Sequence, residues 1–318
     1  MKKIENVLCP ICSNTSTLAK NLSSEFTRKE LSKYFKVKID NNIEILDYQM
    51  FRCNVCNYDF AFPETEGSSS FYNFVTSQQS YYTSTRWEYM KMLQLLPNEN
   101  IKLLDVGCGD GKFFDNLIKN GINTINFCGI DTTIQSVQTC QSKGHNVYCM
   151  DIQTYKEQNS GKLFDAIVSF HCLEHIAKPK EFLQELLSIL NPSGTIYLST
   201  PFSPMDFELD WFDVLNHPPH HMGRWNLKSY SKLAEILNLN LEVFMPDPMD
   251  LIHTSLLSFL FSLYGHSNNF TKPQILFKII LHPLMFSTHL LRQYKREKFN
   301  KKRSANVILV KFSRKYSD

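Results

Sequence analysis

Apolar and polar positions change rhythm along the chain. From residue 101 onward, short apolar runs read as strands at Ile101–Val106, Ile125–Ile130, Asn146–Met150, Leu163–Ser169, Thr195–Thr200, Leu241–Met245 and Asn306–Phe312. Helical spacing falls between them. Lys112–Asn120 gathers Phe113, Phe114, Leu117 and Ile118 on one face, and Gly121 ends it. Thr133–Lys143 places Ile134 with Val137 and stops at Gly144. Lys178–Leu190 has Pro179 in its first turn and a stripe of Phe182, Leu183, Leu186, Leu187 and Leu190. Asn191–Gly194 reads as a turn, and Leu227–Leu237 as a further amphipathic helix. Regular strand–helix alternation predicts an α/β fold, a doubly wound parallel sheet with helices on both faces.

Three stretches depart from that rhythm. Residues 1–62 form a separate head around Cys9-Pro10-Ile11-Cys12 and Cys53-Asn54-Val55-Cys56. Residues 63–100 read as a linker and helical lead-in: Pro63–Ser70 is rich in serine, Ser80-Tyr81-Tyr82 follows, and Thr85–Leu96 has helical spacing up to Pro97. Residues 101–318 are the main domain, with a helical apolar insertion at about 250–303. In that insertion Leu251–Tyr264 and Ile275–Leu291 are rich in Leu, Phe and Ile, and a basic run from Arg292 to Arg303 follows. Lys278, His282 and Pro283 interrupt the second run, and a membrane span needs about 20 apolar residues. The insertion reads as a lid on the core or on a second subunit, or as a surface for a membrane or a lipid-linked substrate.

Composition narrows the class. The 318 residues are 43% hydrophobic, with a formal net charge of +3. That charge is too weak to point to nucleic acid. Met1-Lys2-Lys3 runs into Glu5 and Asn6 with no apolar stretch behind it, so no secretory signal is expected. Nine cysteines are an odd number and not the framework of a small secreted domain, which predicts a reduced, cytoplasmic protein. The two Cys-x-x-Cys pairs suit a tetrahedral structural zinc site at Cys9, Cys12, Cys53 and Cys56. The 40 residues between Cys12 and Cys53 exceed usual ribbon spacing and leave room for a helix and a hairpin.

The most informative stretch is Leu103-Leu104-Asp105-Val106-Gly107-Cys108-Gly109-Asp110-Gly111. An apolar run ends in an acid, three glycines alternate, and a helix starts. Side chains at those glycines would keep a ligand from the backbone. A turn needed only for packing and a dinucleotide dehydrogenase are the competing readings, although the glycine spacing is one residue tighter than G-x-G-x-x-G. With Asp105 two residues ahead, the stretch resembles motif I of class I S-adenosylmethionine-dependent methyltransferases. The fourth strand agrees: Phe164-Asp165-Ala166-Ile167 leads to Phe170-His171-Cys172-Leu173-Glu174-His175, similar to that family's F-D-x-I strand and Leu-Glu-His loop. The resemblance implies a seven-stranded Rossmann-like sheet whose last strand, here Asn306–Phe312, is antiparallel. It also implies S-adenosylmethionine as cofactor, with Asp105, Gly107 and Gly109 at its methionine end and Gly111 completing the turn.

Other residues take roles within that frame. Asp131, ending the second strand, suits both ribose hydroxyls, although an NAD enzyme would use it alike and Thr132-Thr133 also suits a helix start. The resemblance sets Asp151 near the adenine amino group and Ile152 on the ring, with a solvent-exposed turn acid as the rival for Asp151. Phe170 offers an aromatic face to the sulfonium. After the fifth strand comes Asn216-His217-Pro218-Pro219-His220-His221-Met222-Gly223-Arg224-Trp225. A similar Pro-Pro-His-His stretch marks zinc-headed members associated with sugar and surface glycans. A hydroxyl acceptor wants a base, which selects His220 or His221; His217, Arg224 and His171 are candidates for acceptor contact. A structural histidine cluster is the rival reading. No extra C-terminal domain of the kind in deoxysugar C-methyltransferases is expected from these residues, so C-methylation of a nucleotide sugar is not the expectation.

The expectation is therefore an enzyme that O-methylates a small-molecule or glycan-linked acceptor, with a sugar or polysaccharide precursor foremost. The alternatives are an RNA methyltransferase with a zinc head, a lipid- or quinone-type methyltransferase, and a cofactor-binding module without turnover.

Overall fold

The computed structural model describes residues 7–78, 86–97, 100–205, 208, 212–264, 271–300 and 305–315. Ser80, Tyr81, Tyr82, Thr85 and Lys301–Arg303, which entered the sequence reading, lie outside the described residues.

The head consists of β1 (Ser16–Leu22), α1 (Ser24–Phe35), β2 (Tyr48–Cys53) and β3 (Asp59–Phe62). The stretch that follows carries α2 (Ser69–Thr76) and α3 (Trp87–Leu95). The alternating region then runs β4 (Leu103–Val106), α4 (Lys112–Lys119), β5 (Phe127–Asp131), α5 (Ile134–Ser142), β6 (Val147–Cys149), α6 (Ile152–Gln158), β7 (Phe164–Phe170), α7 (Pro179–Ser188) and β8 (Leu190–Pro201). Beyond it come β9 (Gly223–Arg224), α8 (Leu227–Ile236), β10 (Leu239–Phe244), α9 (Leu251–Tyr264), α10 (Lys272–Leu281), α11 (Pro283–Asn300) and β11 (Val307–Arg314).

Seven strands form the main sheet in the order β10-β11-β8-β7-β4-β5-β6. β4, β5, β6, β7 and β8 pair in parallel, while β11 runs antiparallel to both its neighbours. This is the expected Rossmann-like sheet with an antiparallel last strand. Chain order reverses between β4 and β7, and at such a switch point a crevice opens beyond the carboxyl ends of the strands.

Some local expectations change. Ile118 does not join the buried face of α4: it is 50% exposed, while Phe113, Phe114 and Leu117 are buried. Being the residue that follows Leu117, it lies 100° further round a short helix and meets solvent. Ile134 is likewise 46% exposed at the first turn of α5. Asn191–Gly194 is not a turn between a helix and a strand but an irregularity inside β8, where the pairing with β7 shifts register. The run Ile275–Leu291 is broken at His282, where α10 gives way to α11 at an angle of 101°. No single described helix is long and apolar enough to cross a membrane.

The head does not fold around its own strands alone. Its sheet has the order β1-β2-β3-β9, so the fourth strand comes from the histidine-rich segment more than 150 residues later. β9 pairs antiparallel with β3, Asp59 opposite Arg224 and Phe60 opposite Gly223, and the Ala61 amide donates to Met222 O at 2.8 Å. The next residue, Trp225, is fully buried between Tyr58 and Tyr230, with ring centroids 4.7 and 4.5 Å away. Its carbonyl accepts from the Ser203 amide at 2.7 Å, just beyond the end of β8. One apolar cluster thus runs from Cys9, Ile11 and Phe60 of the head through Trp225 to Ile167, Leu198 and Ile308 of the main sheet.

Trp225→Ala should therefore destabilise the whole chain by about 3–5 kcal/mol, the usual range for emptying a large buried aromatic site. Urea unfolding followed by circular dichroism measures it; a loss below about 1 kcal/mol would mean that the indole does not tie the head to the sheet.

Candidate active site

A cleft of about 1080 Å³ lies over the carboxyl ends of β4, β5 and β7. One end is shaped by the loop after β4. There Gly107, Gly109 and Gly111 have φ of +76°, +54° and +79°, in the left-handed region. A side chain at Gly107 would also come within 3.1 Å of Cys172, so the loop stays bare and close to the crevice. Gly107 and Gly109 line the cleft. Gly111 does not: it is the residue before α4, and a Cβ there would press to 2.4 Å from Cys140 Sγ.

Asp131 secures this loop. One carboxylate oxygen accepts from the Gly109 amide at 2.9 Å and the other from the Thr133 amide at 2.8 Å. The residue ends β5, holds the turn ahead of α5 and faces the cleft; the cap position of that helix belongs to Thr133. Asp105 lies beneath the loop, 1% exposed, and its Oδ1 has no hydrogen-bond partner among the described residues. Burial, and after it the charge of Asp131, raise its pKa well above the usual carboxylate range. Asp151 lines the cleft and caps α6 by accepting from the Thr154 amide at 2.7 Å; that bond lowers its pKa. Ile152, buried, and Phe170, packed between Tyr89 and Phe113 at 5.2 and 4.8 Å, complete this wall.

The other end of the cleft is a bed of imidazoles. His171, in left-handed backbone conformation, bonds Glu88 of α3 at 2.6 Å through Nε2 and faces Glu174 at 3.3 Å through Nδ1. Burial opposes a charge on this ring, but the contacts with Glu174 and Glu88 outweigh it and raise the pKa. Burial would likewise raise the Glu88 carboxyl, yet the His171 bond keeps it low. Charge on the ring is thus favoured by two buried acids, whose attraction must offset heavy desolvation.

His220 and His221 are the opposite case. Burial, followed by the neighbouring imidazoles, lowers His220 to about 3 and His221 well below its ordinary value, so both rings are neutral. Their Nδ1 atoms face Leu215 O at 2.7 Å and Asn216 Oδ1 at 2.9 Å. His175, from the short helical turn after β7, sets Nδ1 at 2.5 Å from His220 O, and Tyr72 of α2 packs on its ring. All three line the same cleft as the glycine loop.

His217 and Arg224 stand apart from it. They line a second cleft of about 540 Å³ on the head side, together with Lys20, Asp59 and Glu208. Arg224 binds Ser203 Oγ at 2.7 Å and pairs with Glu208, and His217 is held at about 3 by burial and by the Arg224 charge. The guanidinium is therefore engaged with a protein carboxylate at the base of the loop.

In the head, Cys9, Cys12, Cys53 and Cys56 converge. Sulfur separations are 3.7 Å for Cys9–Cys56, 3.4 Å for Cys12–Cys53 and 3.9 Å for Cys12–Cys56. Four thiolates about 2.3 Å from a zinc ion stand about 3.8 Å apart at the corners of a tetrahedron, so the donor set and spacing fit that ion.

Glu88 and Tyr72 escaped the sequence reading. An acid in the first turn of an amphipathic helix and a tyrosine in a short serine-led one carry no local signal; only the packing of α2 and α3 over the cleft makes them part of the site.

The comparisons with known proteins agree with this geometry. A family model described as a methyltransferase domain matches residues 87–242. The mitochondrial ubiquinone biosynthesis O-methyltransferase of Dictyostelium discoideum is 28% identical over 119 residues, 33% of this chain and 36% of that protein. The ubiquinone biosynthesis O-methyltransferase of Rickettsia akari is 30% identical over 101 residues, 31% of this chain and 40% of that protein. The matched regions span well under half of those relatives. The crystal structure of a SAM dependent methyltransferase from Archaeoglobus fulgidus shares the fold, with a TM-score of 0.50 at 18% identity over 77% of this chain and 100% of that one. Strand order, glycine loop and family match converge: the chain has the Rossmann-like methyltransferase fold, and its residues 87–242 match a methyltransferase domain.

Proposed function

We propose that the protein transfers the methyl group of S-adenosylmethionine to a hydroxyl of a small acceptor. The observation that carries this reading is that the glycine loop and the imidazole bed line one cleft. The loop end fits the cofactor. Its backbone is bare, and Asp131 holds it while offering further lone pairs to a ribose. The orphaned Asp105 oxygen lies beneath it, and an ammonium group above the loop would offset the cost of that buried acid. Ile152 and Asp151 suit the adenine, and Phe170 the sulfonium. The bound cofactor supplies an electrophilic methyl; the protein's part is to hold acceptor oxygen, methyl and sulfur in line and to keep water out.

The acceptor lies at the imidazole end, where His220 and His221 activate its hydroxyl and His171 helps to position it. His217 and Arg224, in the second cleft, support the loop rather than meet the acceptor. The names of the relatives speak for oxygen as the methylated atom and favour a ring hydroxyl of the quinone-precursor type over a sugar hydroxyl. The insertion is compatible with that choice. Leu276, Phe277, Ile280, Leu281 and Leu284 of α10 and α11 are exposed, a surface suited to a lipid-linked acceptor or a membrane face. In the head, a structural zinc ion on the four cysteines would hold the knuckles.

Methyl-transfer assays with labelled cofactor test the reading, with polyprenylated phenols, nucleotide sugars and RNA as separate acceptors. Label should enter the phenol; label only in a sugar would return the acceptor to the glycan class, and consumption of none would defeat the proposal. Asp131→Ala should weaken S-adenosylhomocysteine binding about 10- to 100-fold in calorimetry, as expected for lost hydrogen bonds to a charged group. His220→Ala and His221→Ala should lower turnover by about 10²–10⁴ while that affinity changes little; full activity in both would move activation elsewhere. Stripping zinc from the thiolates should expose the head to limited proteolysis and loosen the loop that β9 anchors.

A further inference from the structure

We propose that His175, His220 and His221 form a second metal site, for a single divalent transition cation of the zinc type, at the acceptor end of the cleft. One ring nitrogen from each residue lies within 4.8 Å of the other two. The ring centroids stand 4.7, 4.8 and 4.5 Å apart, two pairs edge-on and His220–His221 stacked. A tetrahedral ion about 2.0 Å from each nitrogen wants them about 3.3 Å apart, which small side-chain rotations reach.

The second ring nitrogens supply an independent argument. Each Nδ1 faces an oxygen: His220 O for His175, Leu215 O for His220, and Asn216 Oδ1 for His221. Those acceptors fix the Nδ1–H tautomer and make Nε2 the lone-pair nitrogen in all three rings. This is the outer-shell arrangement that metal-binding histidines use.

The surroundings also call for positive charge. Glu174 is 1% exposed, and neither of its oxygens makes a hydrogen bond among the described residues. Its Oε1 stands 3.9 Å from His221 Nε2 as well as 3.3 Å from His171 Nδ1. A cation on the three imidazoles would add to the compensation that His171 gives this carboxylate. Three imidazoles leave one position open, unlike the four thiolates of the head, and an open position marks a site that meets substrate.

What the cation does there rests on the methyl-transfer reading; that it binds does not. The acceptor hydroxyl would take the open position and lose its proton to solvent. The oxygen's electron pair then forms the carbon–oxygen bond as the methyl carbon–sulfur bond breaks. The bonding pair of that carbon–sulfur bond stays on sulfur, giving the methyl ether and S-adenosylhomocysteine. His220 and His221 would thus act as ligands rather than by taking the proton themselves.

The test is metal stoichiometry in the full chain. Protein freed of metal under reducing conditions is titrated with Zn²⁺ and counted by native mass spectrometry, and in parallel with Co²⁺ and followed optically. Wild type should take two ions per chain. H175A and H221Q should each take one, keeping the intense thiolate-to-cobalt absorption and losing the weaker visible bands of the imidazole site. Circular dichroism verifies the fold, and the partly exposed His175 makes H175A the milder change. A single ion in wild type, or a second ion retained by both variants, overturns the site. Full turnover with only the thiolate-bound ion present overturns its role in the reaction. Two bound ions with no methyl transfer to any acceptor would leave the site standing and defeat the proposed function instead.

Discussion

The two-residue pairing of β9 with β3, sealed by the buried Trp225, is the constraint on which the site depends. Without it, residues 202–226 would be a long excursion from the end of β8, and its histidines would have no fixed position. With it, the excursion is closed at its base by the Ser203–Trp225 bond, tied at Phe202 to Asn306 O just ahead of β11, at Gly223 and Arg224 to the head, and at Trp225 to the core between them. His220 and His221 sit just inside this clamp. The head therefore shapes the site although none of its cysteines faces the cleft.

The cleft divides into two electrostatic regimes. At the loop end, the Asp131 carboxylate holds the bare backbone, and the buried Asp105 beneath it is pushed toward its neutral form. At the other end, two flanking acids favour charge on His171, while burial, and after it the neighbouring imidazoles, disfavour charge on His220 and His221. Identical side chains lining one cleft are thus shifted in opposite directions.

Much of the core was legible in the sequence. The three glycines after Asp105, the acid ending β5 and the Phe-Asp-x-Ile strand are local signals, because backbone geometry beside a ligand restricts residue type position by position. The seven strands emerged from periodicity for the same reason: burial on both faces demands continuous apolar runs. Ile118 and Asn191–Gly194 were misjudged where a pattern does not say which side of a short helix meets solvent, or whether a turn-like sequence is absorbed as an irregularity within a strand.

The sequence by itself determined the sheet, the glycine loop and the pairing of cysteine motifs, since each depends on neighbours within a few residues. Only the tertiary structure decided which histidines share a cavity. It joined His175 to His220 and His221 across 45 residues, brought Glu88 to His171 from a helix with no motif, and turned His217 and Arg224 toward a different cleft. Those outcomes follow from the packing of the head and of α2 and α3 against the sheet. Such long-range burial depends on shape complementarity among distant segments, which leaves no periodic mark in any one of them.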